Sequence, residues 1–466
     1  MKVNLPLDSD VPMTTDQNGM NHPFSNDALF LARLKSIEEK INQRRLPEAA
    51  QELNVLGKTA RGDPRLFLLG SRLAQAAGNP KGVLEGARMA HQLAPAWPVA
   101  TIYLAEVLAD QGEVEDALSA AEKAVQQALI GMPAQQRAEL LGKAATIAHR
   151  LGLHARTLLW LREAERISPD DRGIRQKIAR TLIESGQAGL AVEILSELLR
   201  ELPGNASLLS DRLRACLVAD QRAQAVEDGN ALVSLEPDNQ VHRFHLELAL
   251  GLTPRTQPEP VICAFYDGCA ALFDRDRVGR AQYRLPMQVA QMIHQWHPDR
   301  RADILDLGCG TGLLGANLGP KEGVLVGVDL SGAMLAQASR HGVYDRFHQV
   351  NVLDALRETP PALYHVIAAL DVLIHVGALE SVIPNAWRIL LPGGRFVFSF
   401  ETSGPEAAEY ALQPDYHYVH QRGYVRRLLD EAGFAPIDMQ DCTLRVEAGR
   451  PIAGVLVSAV KSLGTV

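Results

Sequence analysis

From about Asn26 to Leu252, apolar residues recur at three- and four-residue spacing, the period of helices that bury one face. In "GIRQKIARTLIESGQAGLAVEILSELLRELP", Ile174, Ile178 and Leu182 share one face of a first predicted helix. Gly186 then breaks the chain, because glycine enters a left-handed turn at little cost. Ala191, Ile194, Leu195 and Leu198 share one face of a second helix. The pattern repeats. Pro169, Pro203 and Pro237 each close an apolar helix and lie 34 residues apart. Gly152, Gly186 and Asp220 carry the same 34-residue register, as do Gly78 and Gly112 upstream. Between Gly112 and Gly152 the spacing is 40, so that unit carries an insertion at "QQALIGMPAQQ". Neither helix of a unit can bury its stripe alone, so stacked neighbours must supply the core. Small Ala191 and Ala225 would let paired helices approach closely.

A 34-residue period with two helices per unit resembles the tetratricopeptide repeat, though the large consensus aromatics are mostly missing. The resemblance implies an all-α solenoid over residues 26–252. Residues 1–25 show no period and are expected to be a disordered tail. "GLTPRTQPEP" (251–260) has three prolines in ten residues, which places a linker at 253–262. The remainder, 263–466, changes period. Residues 304–307, 324–329, 347–352, 364–370 and 395–401 read as short apolar strands, mostly separated by helical stretches. That alternation predicts a doubly wound, mostly parallel sheet. "CTLRVEAGRPIAGVLVSAVK" reads as a closing antiparallel hairpin.

Composition narrows the function classes. Net charge is −8 without a long Lys/Arg run, which argues against a nucleic-acid partner. The five cysteines are scattered and include no CxxC pair, so neither a disulfide framework nor a zinc site is expected. No apolar run is long enough to span a membrane and no signal pattern opens the chain, so a cytoplasmic location is the expectation.

The candidate chemistry concentrates in "ILDLGCGTGLLG" (304–315). A strand runs into Gly308, Gly310 and Gly312, and a helix pattern follows. Such a turn lets backbone approach a ligand closely. The next strand, in "VLVGVDLS", ends at Asp329, 21 residues after Gly308, where a carboxylate can accept both ribose hydroxyls of a nucleoside. Asp306, two residues before the first glycine, would repel a pyrophosphate. It suits S-adenosylmethionine, whose ammonium and sulfonium are both positive. The GxGxG spacing also departs from the dinucleotide GxGxxG.

With those residues in place, the region 261–462 resembles class I S-adenosylmethionine-dependent methyltransferases. "ILDLGCGTG" and "GVDLSGAMLAQA" look like their first two motifs; "HVIAALDVLIHV" and "LLPGGRFVFSFE" look like their fourth- and fifth-strand motifs. Within that class it resembles bacterial predicted methyltransferases that carry tetratricopeptide repeats. Their "FDGxAxxFD" opening appears as "FYDGCAALFDRD" (265–276), and their "GRYxHSxxYV" segment as "DYHYVHQRGYVRRLL" (415–429). The resemblance implies a Rossmann-like sheet of seven strands. It implies that Asp306, Gly308, Cys309, Gly310 and Gly312 contact the methionine end of the cofactor and that Asp329 holds the ribose. Leu330 and Met334 would line the adenine. Family members usually place Asp against the adenine amine; here Asn351 beside Val352 takes that place, or Asp354 if the loop is shifted. Tyr266, Phe273 and Tyr283 either close over the cofactor or pack in the core.

The methyl acceptor should sit at the carboxyl ends of the strands. There His375 is the first candidate for a general base, with Asp371 and His420 as further catalytic candidates. His417, Tyr418 and Glu401 are candidates for substrate contact. No "DPPY" or "NPPY" run follows the fourth strand, which argues against amide or adenine amino methylation. Three readings follow. A protein or peptide substrate is recruited by the array; a sugar or metabolite is methylated while the array serves dimerisation or a partner; or the chain is a non-catalytic scaffold. A homodimer remains open, and no metal is expected.

Overall fold

In the computed structural model the described residues are 14–15, 21–22, 24, 27–60, 62–270, 273–274, 282–404, 406–447 and 450–462. The tail assigned to 1–25 lies mostly outside them, as does the end of "FYDGCAALFDRD". The chain divides into two compact units, Met1–Gln221 and Arg222–Val466.

The first unit is a succession of antiparallel helix pairs: Ala28–Asn42 with Leu46–Thr59, Pro64–Ala76 with Pro80–Leu93, Pro98–Asp110 with Val114–Ala128, Ala134–Arg150 with His154–Ile167, and Arg172–Glu184 with Ala188–Glu201, followed by Ala206–Val218. The repeated glycines do the turning. Gly78, Gly112, Gly152 and Gly186 all have φ between 68° and 77°, and Asp220, at the equivalent place, has φ 55°. Asp is one of the few side chains that tolerate that region. The polar residues after the repeated prolines cap the next helix. Asp171 accepts from the backbone N–H groups of Gly173 and Ile174, Asn205 from Leu208, and Asn239 from Val241 and His242. Each such cap contributes roughly 1 kcal/mol. Ala191 and Ala225 are fully buried.

The second unit opens with helices Arg222–Leu235 and Gln240–Ala249. The pattern assigned both to the repeat array, yet Phe244 and His245 of the second helix meet Tyr416 of the sheet's loops, with ring centroids 6.0 and 6.3 Å away. The proline-rich stretch is not a free linker. The Arg255 carbonyl accepts from the N–H groups of Gly377 and Ala378 at 2.9 and 3.0 Å, and a helix already starts at Glu259.

The sheet strands are β1 Ile304–Leu307, β2 Leu325–Asp329, β3 Arg346–Gln349, β4 Tyr364–Ala369, β5 Leu390–Thr402, β6 Tyr410–Leu412, β7 Tyr418–His420, β8 Phe434–Glu447 and β9 Arg450–Lys461. Their main path runs β8-β9-β5-β4-β1-β2-β3. Strands β3, β2, β1, β4 and β5 are parallel, and β9 and β8 add antiparallel. Seven strands were expected; among the described residues the sheet has nine, seven on the main path plus the short β7, which pairs with the end of β5, and β6, which pairs with β7. Strand β3 stops at Gln349 rather than 352, because Asn351 caps a helix over Val352–Glu358. Alternation splits the core. Leu305 and Leu307 pack on one face with Val328, Ile367 and Phe398, whereas Ile304 packs on the other with Leu325, Val366 and Val397. Chain order reverses at β1, between β4 and β2, so a crevice opens at the carboxyl ends of β1 and β4.

Candidate active site

That crevice is a cleft holding about 940 Å³ of empty space, open solvent at its mouth included. It brings together Tyr266, Asp306, Gly308, Cys309, Gly310, Asp329, Leu330, Asn351, Val352, Asp371 and His375, all singled out in the sequence. Phe273 and Tyr283 line it as well, and among the described residues no Lys or Arg does.

The glycines divide the work. A side chain at Gly308 (φ 67°) would place its Cβ 2.4 Å from Cγ2 of Val372, so this glycine lets the loop pack against the turn after β4. Gly310 (φ 53°) has nothing within 4 Å of that position, which leaves bare backbone facing the cleft. Gly312 packs at the start of helix Leu313–Leu318, against Ala338 and Tyr344.

Asp329 ties the loop to β2. Its carboxylate accepts from the N–H groups of Gly310 (2.9 Å) and Ser331 (2.8 Å). Burial pushes its pKa up, opposed by those hydrogen bonds and reinforced by Asp267. Asp306 is 3 % exposed and accepts from the Tyr344 hydroxyl at 2.7 Å. Burial pushes its pKa up to about 7, the Tyr344 bond lowers it and the Asp329 charge adds to the rise. Two acids thus share a wall to which no described residue adds a cation. Such a wall attracts a positive ligand and rejects a phosphate, which fits an S-adenosyl cofactor. Cys309 is buried beside them, and burial pushes its thiol pKa up.

Other cofactor candidates are placed differently. Met334 is fully buried and does not line the cleft. Asn351 lines it, but its side-chain oxygen caps Leu353 N–H at 2.8 Å and its amide donates to Glu259 at 3.0 Å.

On the acceptor side, His375 is 8 % exposed and held at both nitrogens. Nδ1 lies 2.9 Å from Oε1 of Gln257, and Nε2 lies 2.8 Å from the Tyr266 hydroxyl. Gln257 also donates its amide to the Tyr416 carbonyl. Asp371 follows β4 in the left-handed region (φ 55°), its N–H donating to Ser399 Oγ at 2.9 Å. A fully buried Arg445 of β8 pins it: Nη1 donates to Asp371 (2.6 Å), Nη2 to Glu401 (2.5 Å) and Nε to Glu447 (2.6 Å). Burial would raise the Glu401 pKa, but the His417 and Arg445 hydrogen bonds hold it below the usual range. Burial would likewise lower His417, yet Glu401 and Asp415 raise it. His417 and Glu401 belong to this cluster, beside rather than on the cleft wall; the His375 and His417 rings are 6.2 Å apart.

Two candidates turn inward. His420 is fully buried, donates Nε2–H between the carbonyls of Val376 (2.9 Å) and Gly377 (3.0 Å), and has its pKa lowered to about 4 by burial. It braces the loop rather than meeting an acceptor. Tyr418 is also fully buried, its hydroxyl donating to the Pro254 carbonyl at 2.8 Å. Gln257, Tyr344 and Arg445 were missed. Of these only Arg445 left a trace, a charge inside the apolar alternation "TLRVE".

Residues 305–396 match the family model described as "Methyltransferase domain", and the second unit therefore carries a methyltransferase domain. The chain is similar to the ubiquinone biosynthesis O-methyltransferase of Pseudomonas fluorescens (strain SBW25), 34% identical over 113 residues, which is 23% of this chain and 48% of that one. It thus spans about half the length of the curated relatives it matches. Among solved structures it is similar to magnesium protoporphyrin IX methyltransferase from Synechocystis PCC 6803 with bound SAH (18% identity, TM-score 0.34, covering 44% of this chain and 99% of that one). It is also similar to Pseudomonas aeruginosa pilF (15% identity, TM-score 0.39, covering 48% and 96%). Among the described residues no helix is long and apolar enough to cross a membrane.

Proposed function

We propose that this protein is an S-adenosylmethionine-dependent methyltransferase whose helical units, of tetratricopeptide type, recruit a protein or peptide to it. The observation that carries the first part is the pair Asp306 and Asp329 flanking the glycine loop in a cleft without described cations. Asp306 would hold the ammonium of the methionine end and Asp329 the ribose, with Leu330 and Val352 against the base. The cofactor supplies an activated methyl group, so the chain's own residues need mainly to orient it and to exclude water. The 34-residue helical register, continuing upstream of the catalytic unit, motivates the recruitment reading. A small-molecule acceptor is the second reading, favoured by the 34% identity to ubiquinone biosynthesis O-methyltransferases.

Labelled methyl transfer in a cell lysate separates the two. Label on protein, lost when residues 1–221 are removed while S-adenosylhomocysteine affinity persists, is the expected result. Label confined to low-mass compounds favours the second reading, and absence of S-adenosylhomocysteine binding refutes both.

The glycine geometry gives a paired test of the cofactor site. Gly308→Ala should destabilise the second unit by about 2 kcal/mol or more, from φ strain plus the clash with Val372, and lose cofactor affinity with it. Gly310→Ala meets no neighbour and carries the φ strain alone, about 1–2 kcal/mol, so it should lower the melting temperature by a few degrees only. Its methyl would nonetheless enter the cleft and weaken S-adenosylhomocysteine binding at least tenfold. Calorimetry and thermal melts read both.

A further inference from the structure

Resting on that reading, we propose that the acceptor is an uncharged hydroxyl whose proton leaves through Tyr266 to His375. The donor pattern fixes the direction of the chain. The Tyr416 carbonyl can only accept, so Gln257 presents its NH₂ there and its Oε1 toward His375. Oε1 can only accept, so Nδ1 of His375 carries the proton across the 2.9 Å contact. In the neutral ring Nε2 is then a bare acceptor, and the Tyr266 hydroxyl, 2.8 Å away, donates to it. A second tie fixes the backbone: Gln257 N–H donates to the His375 carbonyl at 3.0 Å and Thr256 Oγ1 to the same oxygen at 3.2 Å. The base is thus held in one tautomer, with its lone pair directed at the tyrosine oxygen.

Tyr266 and His375 both line the cleft, so the 2.8 Å contact between them joins two residues of its wall. An acceptor O–H donating to the tyrosine oxygen completes a line of three groups. As the acceptor oxygen's lone pair forms the new bond to the methyl carbon, the carbon–sulfur bond breaks and its electron pair stays on sulfur. The acceptor proton passes to Tyr266, and the tyrosine proton passes to Nε2. The products are a methyl ether, S-adenosylhomocysteine and an imidazolium stabilised by Gln257. A carboxylate or phosphate acceptor would bring no proton to the relay and would face Asp306, Asp329 and Asp371 in the same cleft. Tyr266 is the catalytic residue here, and His375 and Gln257 are positioning residues acting through it.

The test uses the full chain with methyl-tritiated S-adenosylmethionine and lysate, then the labelled acceptor after purification. The expected product is a methyl ether: the label survives hot alkali and is not retained on a cation exchanger. Volatile methanol released by alkali, or label on a basic nitrogen, overturns the proposal whether the acceptor proves to be a side chain or a metabolite. Tyr266→Phe and His375→Gln should each lower kcat about 100-fold or more, with KM and S-adenosylhomocysteine affinity within about threefold. The solvent deuterium isotope effect of the native enzyme should fall toward unity in both variants. Retained kcat in Tyr266→Phe overturns the relay. Absence of methyl transfer or of S-adenosylhomocysteine binding by the native chain refutes the underlying methyltransferase reading instead.

Discussion

Asp306→Asn is expected to raise the thermal stability of the ligand-free second unit while abolishing cofactor binding. The carboxyl is 3 % exposed and its pKa is pushed up from 3.8 to about 7, burial being the largest cause. An acid whose pKa is raised on folding holds its proton longer in the native state than in the unfolded chain. Native stability therefore falls as pH rises from about 4 to 7 and stays low above that. A rise of that size costs the native state about 4 kcal/mol at pH 8, where the acid is ionised both folded and unfolded. Asparagine keeps an acceptor for the Tyr344 hydroxyl but buries an NH₂ without a partner, which returns about half of that. The net expectation is a gain of about 2 kcal/mol at pH 8, shrinking toward zero by about pH 5.

The same burial makes cofactor binding proton-linked. The ligand's ammonium group favours the ionised acid, so binding expels the proton that Asp306 holds near pH 7. Affinity should weaken about tenfold between pH 8 and pH 6. Calorimetry with S-adenosylhomocysteine in two buffers of different ionisation enthalpy should show a fraction of a proton released at pH 7 in the native chain and no binding heat in Asp306→Asn. A pH-independent affinity, or a variant that binds as the native chain does, would remove Asp306 from the site.

Much of this is legible in the sequence. Gly186 and Asp220 marked turns because few residues take positive φ, and Asp306 and Asp329 stood out because carboxylates beside a glycine loop repel a pyrophosphate and suit a cationic nucleoside. What stayed hidden depends on contacts across long separations. Gln257 lay in a stretch read as linker, and its partner His375 is 118 residues away. His420 and Tyr418 looked like acceptor contacts because polar rings near a strand end read as site residues. Alternation cannot tell which of two sheet faces the folded loops cover. Met334 failed for a related reason, since a one-residue offset on a short helix turns a side chain by about 100° and moves it from cleft to core. The polar residues after Pro169, Pro203 and Pro237 were legible as repeat markers, yet their capping role went unread although Asx-type caps have a sequence signature.

Arg445→Met carries the second large effect. The guanidinium is fully buried and holds carboxylates from the ends of β4, β5 and β8: Asp371 (11 % exposed), Glu401 (9 %) and Glu447 (36 %). Methionine matches the volume of the stem but removes the guanidinium that the three acids share, with His417 left beside Glu401. Removing one partner of a buried network strands the others, at a cost of about 3–5 kcal/mol. The pH dependence distinguishes this from simple loss of packing. Arg445 and His417 hold the native Glu401 below the usual carboxylate range. The stability this pairing contributes is present above the unfolded pKa and is lost as pH falls through the lower folded value. In the variant Glu401 loses the Arg445 contribution, so acidification neutralises the stranded charge and relieves the repulsion. The difference in melting temperature between native and variant should be largest near pH 8 and shrink steadily toward about pH 4.5. The buried His420 is common to both proteins, so its own acid sensitivity cancels in that difference. A gap constant across this range would mean that Arg445 is held by shape alone. In that case Asp371 would owe its left-handed backbone to Ser399 rather than to charge.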